Sequence, residues 1–405
     1  MHKKNFSLLA APLAALGMLA GGAACPTEAD DDDSAPTDDD DATDDDDATD
    51  DDDATDDDDA TDDDDAAPPA PRGLVLTSDS TDSVIAAVDP ATFVGEDGQL
   101  SLAEGDVVFD VEGSDLYLIS RSGADVVRKY PGFDFRGAPE LEFSTGADSN
   151  PHALAACGDR LYVTRYGTGD IAIFDAATGG PLGSVDLSAY LQYKGDLTPE
   201  PRSLLHDGTT MWVGLQYLDA NWAPAANGEV VAVDCATGEI SESFVVGSNP
   251  TLSWHPTEPD MIVVTSVGNY GVADGTLTTL DPATGDTTEH PSLAETEFGG
   301  DYMSMATVGD HSVMAISNPD YTVSVFCVDA SGEDVATTDL DIGRAGWINS
   351  VTAGPLGNVW IAYGASWNPE AASGMRVVDP ATCSDVVDEW LTWGLIPQSM
   401  VFYTP

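Results

Sequence analysis

Arg160-Leu-Tyr-Val-Thr-Arg-Tyr-Gly-Thr-Gly-Asp-Ile-Ala-Ile-Phe-Asp-Ala-Ala-Thr-Gly179 is the stretch that decides the fold. Two short runs, Leu161 to Thr164 and Ile171 to Phe174, are rich in β-branched and aromatic residues, which suits strands. Gly167 to Asp170 separates them as a turn, and a second turn begins at Asp175. An aspartate in the first position of such a turn can accept a backbone N–H. The glycine at its end takes a left-handed conformation at little steric cost.

The closing turn recurs at Asp89-Pro-Ala-Thr, Asp175-Ala-Ala-Thr-Gly, Asp234-Cys-Ala-Thr-Gly, Asp281-Pro-Ala-Thr-Gly, Asp329-Ala-Ser-Gly and Asp379-Pro-Ala-Thr. The later spacings are 59, 47, 48 and 50 residues, and the first gap of 86 is close to two periods, with Tyr130-Pro-Gly near its middle. An alternating strand precedes each turn, as in Val84 to Val88, Val230 to Val233 and Val323 to Phe326. A more apolar strand lies earlier in each unit, as in Leu116 to Ile119, Met211 to Gly214 and Val359 to Ala362. Alternation with period two and frequent turns argues for antiparallel sheet with almost no helix. Four short strands in about 45–50 residues mark a β-propeller blade.

The 160–179 stretch resembles the YVTN-repeat family of seven-bladed propellers, related in fold to lactonases. The looser pattern covers 73–405. The expected fold is therefore all-β, with seven blades over 72–405. Gln398 to Tyr403 reads as an innermost strand with nothing after it, and Gly73 to Thr77 as a second strand with no first strand before it. Together they complete one blade from both chain ends and remove open sheet edges.

The chain has 405 residues and a net charge of −60, from 13 basic and 73 acidic residues. Residues 72–405 alone hold 11 basic against 48 acidic residues, a net −37. Such a surface repels phosphate backbones, so nucleic acid is excluded as a partner. Residues 1–24 read as an export signal: Lys3 and Lys4, an apolar run from Phe6 to Ala20, then small residues. Ala23-Ala24-Cys25 resembles a bacterial lipobox. That resemblance implies lipidation of Cys25 and, with Pro26 after it, location at the outer membrane or cell surface, with the membrane met only through the anchor. Residues 25–71 form a second segment. Its repeated Asp-Asp-Asp-Asp-Ala-Thr has no large apolar residue and repels itself, so it reads as a disordered acidic tether. Diffuse binding of divalent cations suits it; a defined calcium loop does not, because the repeat lacks the required Gly and Glu. No cofactor is implied, and a monomer is expected.

In a propeller the first residues of the innermost strands face one shared funnel. Here these are Asp106, His152, Arg202, Thr251, Met303, Asn349 and Gln398. Aromatic residues of the loops between second and third strands would form its rim: Tyr166, Tyr217, Trp222, Tyr270, Tyr321, Tyr363 and Trp367. A polar funnel with an aromatic rim suits an unidentified small molecule or an envelope protein as ligand. The lactonase resemblance implies an alternative, a lactonase or lyase in which Arg202 holds an oxyanion and His152 moves a proton. Its expected glutamate has no clear match; Gln216 and Asp219 are poor substitutes. A third reading is a non-catalytic envelope scaffold with a plugged funnel. A metal-dependent site would have only Asp106, Asp301 and Asn349 to draw on, and no metal site is assigned. His206-Asp207-Gly208 and His255-Pro256 read as ordinary turns on the opposite face. Four cysteines allow three pairings; Cys157–Cys235 and Cys327–Cys383, each in adjacent blades, are preferred over four free thiols.

Overall fold

The computed structural model describes residues 70–190, 198–320, 322–329, 336–340, 346–364 and 373–404. The signal segment, Cys25, the acidic tract, Tyr321 and Trp367 lie outside the described residues. Among those described, strands form seven four-stranded antiparallel sheets. Blade 1 combines Ile396–Tyr403, Arg72–Ser78, Ser83–Val88 and Gly95–Leu102. The other six blades are consecutive in the chain, spanning 107–144, 151–185, 201–245, 250–289, 301–340 and 347–385. The four-residue α-helix Glu295–Phe298 sits in the link between blades 5 and 6.

Closure follows the expected pairing. Arg72 lies opposite Tyr403, Val75 opposite Met400 and Leu76 opposite Ser399. The chain's last strand is thus the innermost strand of blade 1, and its first strand is the second.

The core is divided into seven layers, each lying between two neighbouring blades. Leu116 and Leu118 face blade 1, with Leu74, Leu76 and Ile85. Their strand neighbours Tyr117 and Ile119 face blade 3, with Leu161 and Val163. Alternation therefore sends apolar side chains to both sides of each sheet, which is why the second strands read as almost unbroken apolar runs. The remaining layers join blades 3 and 4, 4 and 5, 5 and 6, 6 and 7, and 7 and 1.

The repeated turn is built as its sequence requires. Asp175 Oδ1 accepts from the N–H of Thr178 at 2.8 Å and from the Thr178 hydroxyl at 2.7 Å; Asp234 does the same for Thr237 at 2.7 and 2.9 Å. These donors hold both carboxyls below the usual aspartate range. The fifth turn residue is left-handed: Gly179, Gly238 and Gly285, but Phe93 in blade 1 and Cys383 in blade 7. Cys383 pairs from there with Cys327, and Cys157 pairs with Cys235, each with Cα atoms 5.6 Å apart. The two bridges staple blades 6 to 7 and 3 to 4.

Met400 is 4 % exposed and packs in the layer between blades 7 and 1. Met400→Ala should cost about 2–4 kcal/mol in chemical denaturation, because the cavity opens at the closure seam.

Candidate functional site

Each innermost strand begins at the face where the loops between second and third strands also lie. Pro151, Pro201 and Pro250 open three of these strands. The residue before each proline, Asn150, Glu200 and Asn249, has a φ of 46°, 44° and 56°. That left-handed backbone costs about 1–2 kcal/mol for a residue other than glycine, so its surroundings must hold it. They do so by one repeated contact: the N–H just past each second strand bonds back to that residue's carbonyl. Tyr166 reaches Asn150 at 3.1 Å, Gln216 reaches Glu200 at 3.4 Å and Val267 reaches Asn249 at 3.2 Å. In blade 2 Arg121 makes the same contact with Asp106 at 2.8 Å. Arg121, Tyr166 and Gln216 therefore occupy equivalent places and join the innermost residues at the funnel.

Side-chain contacts lock the links. Asp125 takes the N–H of Asp148 at 2.9 Å and of Asn150 at 2.8 Å, which fixes the approach to His152. Buried Glu200 accepts from the Thr198 hydroxyl at 2.5 Å and the Leu218 N–H at 2.9 Å.

The His152 ring stacks on Tyr166, with centroids 4.5 Å apart and planes 20° off parallel. Trp222 lies beyond Tyr166, at 6.3 Å and 19°. The Tyr166 hydroxyl donates to Gln216 Oε1 at 3.2 Å, and Gln216 Nε2 donates to Asn249 Oδ1 at 2.6 Å. This chain crosses blades 3, 4 and 5. Desolvation by burial, then the charges of Arg121 and Arg202, hold His152 well below the ordinary imidazole range. The ring is neutral at pH 7. Its buried Nε2 has no hydrogen-bond partner among the described residues, and neither does Asn249 Nδ2. Buried polar atoms of this kind are rare in folded proteins. Arg121, 5 % exposed, is engaged by Asp106 through Nε at 2.8 Å and also through Nη2. Arg128, Lys129, Arg136, Arg160, Arg165 and Arg376 likewise face carboxylates. Arg202, whose charge is felt at both Arg121 and His152, has no such partner among the described residues.

Other expected site residues serve the frame. Tyr217 and Tyr363 do not stand on the rim: they are 3 % and 0 % exposed, inside the layers of blades 3–4 and 6–7. Tyr270 packs against the layer between blades 5 and 6. Asn349 donates to the Pro397 carbonyl at 2.7 Å, tying blade 7 to the closing strand, and Gln398 reaches back to the Ile396 carbonyl at 3.3 Å. Thr251 pairs with Thr265, and Met303 packs in the layer between blades 6 and 7. Among the described residues no carboxylate is found bonded to His152: Asp106 is engaged by Arg121, and Glu200 by Thr198 and Leu218. No group of three or more His, Cys, Asp or Glu among the described residues is placed to hold a metal ion. Asp301 instead accepts the Gly271 N–H at 2.6 Å, near Glu295 and Asp274. Sequence reasoning missed Arg121, although the register of Tyr166 marks its place.

No protein-family model matches the chain, and no curated protein matches it. Among solved structures it is similar to a 6-phosphogluconolactonase-like protein of Bacteroides uniformis, at 12% identity and TM-score 0.57, covering 82% of this chain and 99% of that one. A counterpart from Bacteroides fragilis has 14% identity and TM-score 0.55, with 82% and 98% covered. Hydrazine synthase of Kuenenia stuttgartiensis has 17% identity and TM-score 0.52, with 77% and 96% covered. At these identities the likeness is one of fold: the chain is a seven-bladed β-propeller with structural neighbours that include lactonase-like propellers.

Glu295 is fully buried and accepts N–H bonds from Gly275 at 2.8 Å and Tyr302 at 2.6 Å. Desolvation outweighs these donors, and Asp301 and Asp274 add to it, so its carboxyl is pushed up to about 8. A raised carboxyl stabilises the fold below its unfolded value and loses that contribution as pH rises through the folded one. Denaturation from pH 4.5 to 8 should show this loss, and Glu295→Gln should flatten it.

Proposed function

We propose that this chain is an exported, lipid-anchored envelope propeller whose funnel binds a small anionic ligand with a planar or aromatic portion. The observation that carries the reading is the Arg202 guanidinium: it has no counter-ion among the described residues, and its charge acts on the buried imidazole of His152, whose Nε2 is unpartnered. An anion there would meet a cation without first displacing a protein carboxylate, and charge-assisted hydrogen bonds are the stronger kind. Tyr166 is buried between His152 and Trp222, and the exposed Trp222 ring offers a stacking surface. Exposed acid elsewhere would keep such a ligand off other surfaces.

The chain's first strand begins at Arg72 opposite Tyr403, the end of an innermost strand, so Arg72 lies at the face away from the funnel. With Cys25 lipidated and residues 25–71 as a tether, the protein would sit at the outer membrane or cell surface. The acidic tract would condense divalent cations diffusely, and the protein would act as a monomer. A neutral imidazole subject to a guanidinium's charge also favours a second reading, a lactonase or lyase in which His152 moves the proton and Arg202 holds the developing oxyanion.

Calorimetric titration with small carboxylates such as benzoate and citrate should show saturable binding that weakens with salt. Arg202→Met should weaken it roughly 10–100-fold, the range expected for losing a charged hydrogen bond. Equal binding to wild type and variant would remove the reading. Lactone hydrolysis abolished by His152→Ala would favour the enzyme instead. The mature protein's mass should correspond to a lipidated Cys25 start; an unmodified start elsewhere would remove the anchor.

A further inference from the structure

Three consecutive blades bring together a disulfide sulfur, an imidazole and a carboxylate at the face opposite the funnel. His206, at the end of Pro201–His206, has Nδ1 3.8 Å from Cys157 Sγ, and Cys157 ends Pro151–Cys157. His206 Nε2 lies 2.8 Å from Oε2 of Glu112, which ends Val107–Glu112. Glu112 thus reaches from blade 2 to blade 4 and orients the ring toward the sulfur. The other charged groups around the ring are Asp110 and Asp207. Asp110 accepts N–H bonds from Leu154 at 2.8 Å and Val111 at 2.9 Å. The hydrogen bond that His206 donates to Glu112 raises the His206 pKa above its ordinary value, with Asp110 and Asp207 adding to it. The side chains of His206 and Glu112 are 22 % and 13 % exposed, so solvent reaches the relay although the sulfurs are buried.

An imidazolium held against a sulfur lowers that sulfur's thiol pKa and makes it a better leaving group in exchange. We propose that Cys157–Cys235 is a redox-active bridge, open to thiol–disulfide exchange with a small dithiol reductant, with Cys157 as the leaving thiolate stabilised by His206 and oriented through Glu112. The reductant's thiolate attacks Cys235 Sγ and forms a mixed disulfide as the bond to Cys157 breaks. Its second thiol then attacks its own bonded sulfur. Cys235 leaves and takes the proton of that second thiol, Cys157 stays as the thiolate, and the reductant becomes a disulfide; two electrons and one proton pass to the protein, the reductant's other proton having gone to solvent when its thiolate formed.

Native full-length protein would be reduced with graded dithiothreitol, alkylated with iodoacetamide and mapped by peptide mass spectrometry, with Cys327–Cys383 as internal reference. Cys157 and Cys235 should be labelled at reductant levels that leave Cys327 and Cys383 bridged. Alkylation of reduced Cys157 should follow an apparent pKa below the ordinary thiol value of about 8.5. His206→Asn should shift that profile upward and slow reduction about tenfold or more, and Glu112→Gln should act in the same direction. Equal resistance of the two bridges, or a wild-type profile at or above the ordinary thiol value, would overturn the proposal even if the variants do not fold. So would a folded His206→Asn variant with an unchanged profile.

Discussion

The structure depends on one packing constraint: each sheet has two apolar faces, so each needs two neighbours. A sandwich solves the problem for sheets with one apolar face, but sheets with two would stack without end. A ring ends the stack by making the last blade the neighbour of the first. Alternation of Leu116, Tyr117, Leu118 and Ile119 across one strand shows the constraint at single-residue scale. The shared blade at the seam, with Val75 opposite Met400, is what the ring adds to make closure covalent on one side and hydrogen-bonded on the other.

The funnel inherits its shape from this arrangement. Since the apolar layers occupy the space between blades, polar side chains are left to the channel and its two mouths. The backbone supports them at a cost, seen in the left-handed residues before Pro151, Pro201 and Pro250. Those residues are held by hydrogen bonds from the following loops, so the innermost strands and the residues at Arg121, Tyr166 and Gln216 are positioned together. A change in one loop is therefore felt at its partner strand.

The fold was legible because the repeated aspartate turn is local: its carboxylate bonds to backbone two and three residues on, and such signals survive in one sequence. The ring closure was legible for a similar reason, since an unpaired second strand at one end matches an unpaired first strand at the other. The site was legible only in part. His152, Arg202, Tyr166 and Trp222 fall in one region, but Tyr217 and Tyr363 turn inward, because the residue that ends or follows an apolar strand can still belong to its layer. Arg121 escaped notice because its role depends on a register shared across blades, not on its neighbours in sequence. The relay of Glu112, His206 and Cys157 escaped for the same reason: its members lie 94 and 49 residues apart and meet only once three blades are side by side.

The position of Arg72–Ser78 inside blade 1 has a mechanical consequence. This strand is flanked on both edges, by Ile396–Tyr403 and Ser83–Val88. Tension applied along Arg72–Ser78 would load both ladders in shear, so their bonds would resist as a group. An outermost strand pulled from its free corner would instead unzip one bond at a time. The first strand of the wheel is thus well placed to bear tension.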